Sequence, residues 1–195
     1  MSGRVTRCWI CGRWNEVHFQ QYGSHCRMWI PPEDGDPVLP HHPTRKSVGY
    51  FGAVRLRDGT FLRRQESGKF NAETFRQFLL QLFEQSHSAG KRVILIVDNA
   101  RYHHAKLHRD WRQACDDSFH LNYLPPYSPE LNPIERGWKV THKLCIHDQY
   151  FGHLSEVVQA VETQFEQWTD GHETLRKLCS IGVDLFASIY SPMYS

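Results

Sequence analysis

The chain has 195 residues, of which 40% are hydrophobic and 13% aromatic, and its formal net charge at pH 7 is +2. This composition is typical of a globular domain, and no apolar run approaches the ~18 residues that a membrane-spanning helix needs. The near balance of 23 basic and 21 acidic residues neither requires nor excludes a polyanionic partner. The length fits one well-cored unit, so we expect a single domain over residues 1–195.

The N-terminus and the cysteines bear on cellular location. Basic residues near Met1 are not followed by an apolar segment, so no secretory signal is predicted and we expect a cytoplasmic location. Six cysteines in such a context favour free thiols. An alternative is a zinc site, because Cys8 and Cys11 are spaced as Cys-x₂-Cys and His25 or Cys26 would add a ligand. One such pair is weak evidence for zinc.

The first part of the chain predicts three strands. Within residues 5–22, Val17 and Phe19 alternate with polar residues, as in a strand with one buried face. The proline-rich residues 31–43 predict a loop. Residues 47–56 and 60–63 follow as two antiparallel strands, joined by a turn at Asp58 and Gly59.

Helices and buried strands then alternate. From Asn71, a favourable N-cap, apolar residues recur at helical spacing and predict a helix that covers the sheet: Phe75, Phe78, Leu79, Leu82 and Phe83. The apolar run 93–97 predicts a central strand buried on both faces. Further along, helices are predicted at 105–114, at 155–168 with Ser155 as cap, and at 173–186, with a strand at 119–124. The order indicates a mixed α/β domain.

Asp98 directly follows the most apolar strand. Sites in open α/β sheets form at the carboxyl ends of strands, which favours a functional carboxylate. The alternative is an Asx turn, in which Asp98 or Asn99 ends the strand by bonding its own backbone. Position alone leaves both open.

Glu135 is the second candidate acid. Asn132, Pro133 and Glu135 have the layout of a capping box, with Asn at N-cap and Glu at N3. Against a simple cap, prolines stiffen the approach to this helix, which would suit a carboxylate held for a metal; they are Pro125, Pro126, Pro129 and Pro133. Two carboxylates from different elements are what metal-assisted phosphoryl chemistry requires.

The helix that follows has two distinct faces. Arg136, Lys139 and Lys143 share one face, which either contacts a DNA backbone or is simply solvated. A second face carries Ile134, Trp138, Thr141 and Cys145. His103 and His104 follow Asp98 closely, and without ligand spacing they are interpreted as solvated loop histidines.

Two long motifs resemble a known family. Residues 97–104 read VDNARYHH and residues 124–139 read LPPYSPELNPIERGWK. They resemble the catalytic core of the mariner-type DDE transposases, in their bacterial insertion-sequence six-thirty branch, and residues 43–47 and 70–75 are also similar to its members. The resemblance covers about residues 14–186. It implies a ribonuclease H-like fold, with a mixed five-stranded sheet flanked by helices.

At the first acidic position this chain departs from the pattern. Family members read Asp-Glu-Val-His-Phe or similar where residues 15–19 are NEVHF, so Asn15 stands in place of the aspartate. The resemblance implies a catalytic and metal-binding set of Asn15, Asp98 and Glu135, with two Mg²⁺ or Mn²⁺ ions in an intact site. Asparagine offers one neutral carbonyl oxygen instead of a charged carboxylate, so we expect weak or absent cleavage. Strand alternation should keep Glu16 from substituting for it.

The resemblance also implies partners. A transposase of this type cleaves and transfers double-stranded DNA at element ends and target, with two copies joined on the DNA. Such proteins carry N-terminal helix-turn-helix modules, which we expect to be absent here because the chain begins almost at the first catalytic strand. The alternative function is a catalytically inactive, transposase-derived protein that binds DNA or another protein.

Overall fold

The computed structural model describes residues 5–22, 44–86, 91–115, 118–125, 132 and 134–180, with side chains on the first strand from Val17 onward. Five strands in these ranges form one mixed sheet: β1 Val5–Gln20, β2 Ser47–Arg55, β3 Phe61–Glu66, β4 Lys91–Val97 and β5 Phe119–Tyr123. Their order is β3-β2-β1-β4-β5. β1, β2 and β3 are antiparallel neighbours, whereas β4 and β5 continue the sheet parallel to β1. The mixed α/β prediction is confirmed.

Helices cover both faces of the sheet, and they are α1 Ala72–Ser86, α2 Arg109–Ala114, α3 Ile134–Cys145, α4 Leu154–Glu166 and α5 Glu173–Ser180. α1 begins as predicted, because the Asn71 side chain accepts hydrogen bonds from the amides of Glu73 at 2.9 Å and Thr74 at 3.1 Å. Within the described ranges, none of the helices combines the length and apolarity needed to cross a bilayer.

Two predicted helix boundaries change, and a third is untested. Only Arg109–Ala114 of the segment 105–114 is α-helical, since two short 3₁₀ turns, Arg101–His104 and Lys106–His108, precede it. Ser155 is not the cap of α4, which begins at Leu154 after an extended His153 that makes no side-chain capping bond. The predicted extension of the last helix to residue 186 lies outside the described residues.

The core has two halves, one on each side of the sheet. On one side α1 packs Phe75, Phe78 and Leu79 against Phe51 and Leu95. On the other side α3, α4 and α5 enclose a second cluster that includes Phe19, Tyr50, Phe61, Trp138 and Phe165. Burying each such side chain stabilises the fold by about 1.5–3 kcal/mol, which is why β2, buried on both faces, anchors the domain.

β1 contains a pronounced irregularity at the position that the family motif makes important. Cys11 pairs with Ala53 on β2, and the next regular pair joins Glu16 to Phe51. β1 therefore advances five residues while β2 advances two. This is a bulge of unusual size, and bulges often occur beside active sites.

Candidate metal and nucleic-acid site

Asp98 lies at the carboxyl end of β4, as predicted, and is 7% exposed. Its Oδ1 atom accepts a hydrogen bond from the Ala100 amide at 3.0 Å, the contact of an Asx turn. The same Oδ1 lies 2.8 Å from Nδ1 of His103. Oδ2 has no hydrogen-bond partner among the described residues. The turn predicted as the alternative is thus present, and it still leaves one carboxylate oxygen available.

Glu135 lies in the first turn of α3 and is partly buried. The capping-box alternative is wrong for the described residues, because both polar side-chain atoms of Asn132 lack a hydrogen-bond partner. The Glu135 carboxylate likewise has no partner in the described part of the chain. The only contact between these residues is a long main-chain bond of 3.4 Å from the Glu135 amide to the Asn132 carbonyl. Glu135 is therefore not used as a cap.

Trp138 fixes the start of α3 on the sheet. A Cβ atom built on Gly52 of β2 would lie 2.4 Å from Cη2 of the Trp138 indole, so the ring occupies the space that the glycine leaves. Gly52 lies between Phe51 and Ala53, the two residues whose β1 partners flank the bulge. The first turn of α3, which carries Glu135, is thus held at the level of the bulge that contains position 15.

The same level of the sheet is adjacent to Asp98. The parallel pairing of β1 with β4 ends at Ile10 and Ile96, one residue before the bulge and two before Asp98. α3 contacts β1 directly. The backbone therefore brings the elements bearing positions 15, 98 and 135 to one region. The side chain of Asn15 lies outside the described residues, so its meeting with the two acids stays a prediction.

The donor set fits a hard divalent cation. Among the described residues, Oδ2 of Asp98 and the Glu135 carboxylate have no hydrogen-bond partner, and carboxylate oxygens are the ligands that Mg²⁺ and Mn²⁺ prefer. Among the described residues no three His, Cys, Asp or Glu side chains form a metal-binding group.

Of the two histidines after Asp98, His103 differs from the prediction, whereas His104 is exposed as predicted. His103 is fully buried, so it is not a solvated loop residue. Its ring packs 4.2 Å from that of Phe75, measured between centroids. His104 is exposed, yet its ring stacks on Tyr123 at 4.2 Å and its Nε2 lies 3.1 Å from Oδ1 of Asn99. No spacing in the sequence signals the contacts with Phe75 and Tyr123, because they arise only when α1 and β5 pack beside the loop after β4.

Further bonds tie the loop after β4 to the end of β5. The Asn99 side-chain amide donates to the Leu124 carbonyl at 2.6 Å. The Tyr123 hydroxyl donates to the His103 carbonyl at 2.9 Å. The Leu124 amide donates to the Val97 carbonyl at 2.7 Å. The backbone that carries Asp98 is therefore held from both sides.

The predicted basic face of α3 divides in two. Arg136 donates to the Leu178 carbonyl at 3.0 Å and thus braces α5. Lys139 and Lys143 instead line an open groove of about 320 Å³ together with His142 and His147. Burial lowers the pKa of His142, and the charge of the neighbouring His147 lowers it further. Sequence reasoning missed the two histidines, although a signal was present: His142 lies three residues after Lys139 and His147 four residues after Lys143, which is the spacing of one helical face.

The second face of α3 is buried in the structure, at Ile134, Trp138, Thr141 and Cys145. Three cysteines in the described ranges, Cys115, Cys145 and Cys179, form no disulfide, as expected. The side chains of Cys8 and Cys11, and all of His25 and Cys26, lie outside the described residues, so the zinc alternative is untested.

Comparison with known families decides the assignment. Residues 13–158 match the family described as DDE superfamily endonuclease. The chain belongs to the DDE superfamily endonucleases. This match confirms the predicted DDE assignment, and the curated and structural relatives that follow include an insertion-sequence six-thirty protein and mariner transposases, the type that the motifs resemble.

Two curated relatives of this DDE domain are bacterial. It is 29% identical to the "Insertion element IS630 uncharacterized 39 kDa protein" of Shigella sonnei over 112 residues, 57% of this chain and 32% of the relative. It is 27% identical to the "Uncharacterized protein y4pE/y4sA" of Sinorhizobium fredii over 88 residues, 45% of this chain and 61% of the relative. The chain thus spans from about a third to three fifths of the curated relatives it matches.

Solved structures show the fold. The Mos1 mariner paired end complex with Mn matches with a TM-score of 0.64 and 19% identity, covering 93% of this chain and 55% of that one. The catalytic domain of Mos1 mariner transposase matches with a TM-score of 0.52 and 17% identity, covering 89% and 79%. The predicted ribonuclease H-like fold is confirmed.

Proposed function

We propose that this chain is a transposase catalytic domain that performs metal-dependent DNA strand cleavage and strand transfer, with Asn15, Asp98 and Glu135 at the reacting phosphate. The observation that carries the proposal is the anchoring of the start of α3, by Trp138 against Gly52, at the level of the β1 bulge beside Asp98. A carboxylate that caps no helix, at that place in a DDE endonuclease domain, is best explained as a ligand.

The two acids, Asp98 and Glu135, would bind the divalent cation. When bound, Mg²⁺ or Mn²⁺ activates the attacking hydroxyl and neutralises charge that develops on the phosphate. The Asp98 carboxylate, oriented by its turn, and the Glu135 carboxylate, positioned by α3, would bind the cation. Mos1 mariner paired end complexes solved with Mn and with Mg support the choice of cation by analogy. Two ions are proposed for an intact site.

Asn15 would weaken this site. Its neutral amide offers one oxygen in the position where the family motif has a charged carboxylate. Phosphodiester cleavage depends on metal-assisted charge neutralisation for most of its rate, so a weaker metal site should cut slowly or not at all. This residue also favours a second candidate function, that of a catalytically inactive protein that keeps the fold and binds DNA or a protein partner.

The DNA backbone is proposed to follow α3 away from the acids. Lys139 and Lys143 lie four and eight residues after Glu135, which corresponds to about 6 and 12 Å along the helix axis. Their groove also contains His142, whose ring stacks at 6.5 Å on that of Phe19. Arg136 is a weaker candidate for phosphate contact because it already bonds α5. The Mos1 paired-end complex with the left transposon end supports, by analogy, DNA as the partner. Two copies of the chain joined on double-stranded DNA are proposed from the family resemblance alone.

A nicking assay tests the proposal. Supercoiled plasmid is incubated with Mn²⁺ and the natural chain, Asn15→Asp, or Asn15→Asp combined with Asp98→Asn or Glu135→Gln. We expect little nicking by the natural chain, clear nicking by Asn15→Asp, and none when either acid is replaced. Equal nicking by the natural chain and Asn15→Asp would contradict the role of Asn15. DNA binding without nicking by Asn15→Asp would instead favour the inactive protein.

A further inference from the structure

The Asp98 carboxylate has an asymmetric environment. Oδ1 receives the Ala100 amide at 3.0 Å and Nδ1 of His103 at 2.8 Å, whereas Oδ2 receives no bond from the described residues. The same Nδ1 lies 2.9 Å from the Asp98 main-chain carbonyl. Both neighbours are oxygens that carry no hydrogen when the acid is ionised, so Nδ1 must carry the proton and donate it to both.

The His103 ring cannot easily turn away from this contact. It is completely buried, and it lies between the rings of Phe75 at 4.2 Å and Tyr102 at 4.4 Å. The carbonyl of His103 accepts the Tyr123 hydroxyl from β5 at 2.9 Å. The donor is thus built into the core next to Asp98, while most of the Asp98 carboxylate is itself shielded from water.

We propose that His103 is a positioning residue that fixes which oxygen of Asp98 binds the divalent cation. With the Ala100 amide, it occupies Oδ1 and holds the carboxylate plane, so that Oδ2 is the ligand atom. The inference rests on the proposed function, because it assumes that Asp98 is a metal ligand. Hydrogen bonds to ligating side chains commonly control both their orientation and the affinity of the metal.

A purely structural role would look different. If His103 only filled the core beside Phe75, a phenylalanine would satisfy the packing and leave metal binding unchanged. If it acts through its N–H, an asparagine should retain the effect, because the asparagine amide nitrogen can occupy nearly the same place as Nδ1. The two substitutions therefore separate packing from hydrogen bonding.

The test is a titration with Mn²⁺ in which electron paramagnetic resonance measures the free ion. It is carried out in the natural chain and in the Asn15→Asp background. In both, His103→Phe should weaken Mn²⁺ binding roughly 10- to 100-fold and His103→Asn by no more than about threefold. Melting temperatures without metal provide the readout for packing.

Two results would overturn the proposal. One is His103→Phe binding Mn²⁺ as tightly as its parent, and the other is both variants losing affinity equally with equal falls in melting temperature. Failure of the underlying function is recognised separately, by Asp98→Asn binding Mn²⁺ as well as its parent.

Discussion

The indole of Trp138 lies where Gly52 would carry a side chain, with an ideal Cβ only 2.4 Å from Cη2 and 2.6 Å from Cζ2 of the ring. The same Cβ would meet the Phe61 ring at 3.0 Å. A strand residue without a side chain therefore determines how closely the helix bearing Glu135 approaches the sheet.

Replacing this glycine tests that relationship. Gly52→Ala should lower the free energy of unfolding by about 1–3 kcal/mol, the usual cost of overpacking, because the ring has to move away from β2. Urea unfolding with tryptophan fluorescence measures the change, and Mn²⁺ binding should weaken with it. Gly68→Ala is the matched control, since a Cβ there meets nothing within 4 Å. A Gly52→Ala protein as stable as the control would contradict the packing.

Glu135 should contribute to metal binding and not to stability. Because neither it nor the Asn132 side chain forms a capping bond, Glu135→Gln is expected to change the free energy of unfolding by less than about 0.5 kcal/mol. Asn71→Ala is the contrasting control, since it removes a real cap of α1 and should cost about 1 kcal/mol. Chemical denaturation compares them. A loss for Glu135→Gln that equals the loss for Asn71→Ala would restore the capping interpretation.

The groove on α3 makes a prediction about salt. Replacing both Lys139 and Lys143 by Gln should reduce the slope of log affinity for duplex DNA against log salt by about two, because each lysine releases about one counterion. Fluorescence anisotropy of a labelled duplex measures it. Lys69→Gln, an exposed lysine that precedes α1, should leave the slope unchanged. An unchanged slope in the double variant would exclude the groove as the DNA path.

His142 refines that measurement. Burial lowers the pKa of its imidazole, so at pH 8 the ring is neutral and His142→Gln should alter the affinity for DNA without altering the salt slope. A change in slope at pH 8 would show that the ring is charged in the complex.

Asp58 should give the hairpin between β2 and β3 an acid-sensitive anchor. Burial alone would raise its pKa, but hydrogen bonds from Arg55 and Thr60 outweigh burial and lower the pKa from 3.8 to about 2. Because the folded pKa lies below the unfolded one, the stabilisation is present above about pH 4 and disappears as the pH falls towards 2. Partial exposure of the pair keeps the effect modest.

Thermal melts between pH 2 and 6 test this expectation. Asp58→Asn should be less stable than the natural chain at pH 6, and the difference should vanish near pH 2. Asp170→Asn, in an exposed turn after α4, serves as the control and should show no pH-dependent difference. A constant difference for Asp58→Asn over the whole range would exclude the carboxylate as its source.

The sequence predicted most elements because their signals are local. The alternation at Val17 and Phe19, the apolar run before Asp98 and the cap at Asn71 each depend on residues close in the chain, and each appears in the structure. The positions of Asp98 and Glu135 at the ends of elements were predicted for the same reason. These features follow from chain-local physical chemistry.

Features that depend on distant residues could not be predicted. The burial of His103 requires α1 and β5 to pack beside the loop after β4, and the contact between Gly52 and Trp138 joins a strand to a helix 86 positions later. The bulge in β1 is likewise visible only against the register of β2. The bulge also interrupts the regular alternation of side chains along β1. That alternation was the reason for expecting that Glu16 cannot replace the missing aspartate.

Because position 15 lies in the bulge, a substitution there affects the chemistry of the site more than the pairing of the strands. Residues 12–15 lie between the last regular pair at Cys11 and the next at Glu16, so they contribute no regular ladder partner to the sheet. An exchange of aspartate for asparagine there alters charge without removing a rung on which folding depends. If position 15 has the proposed metal-binding role, a lineage could change its chemistry there and still inherit a folded protein.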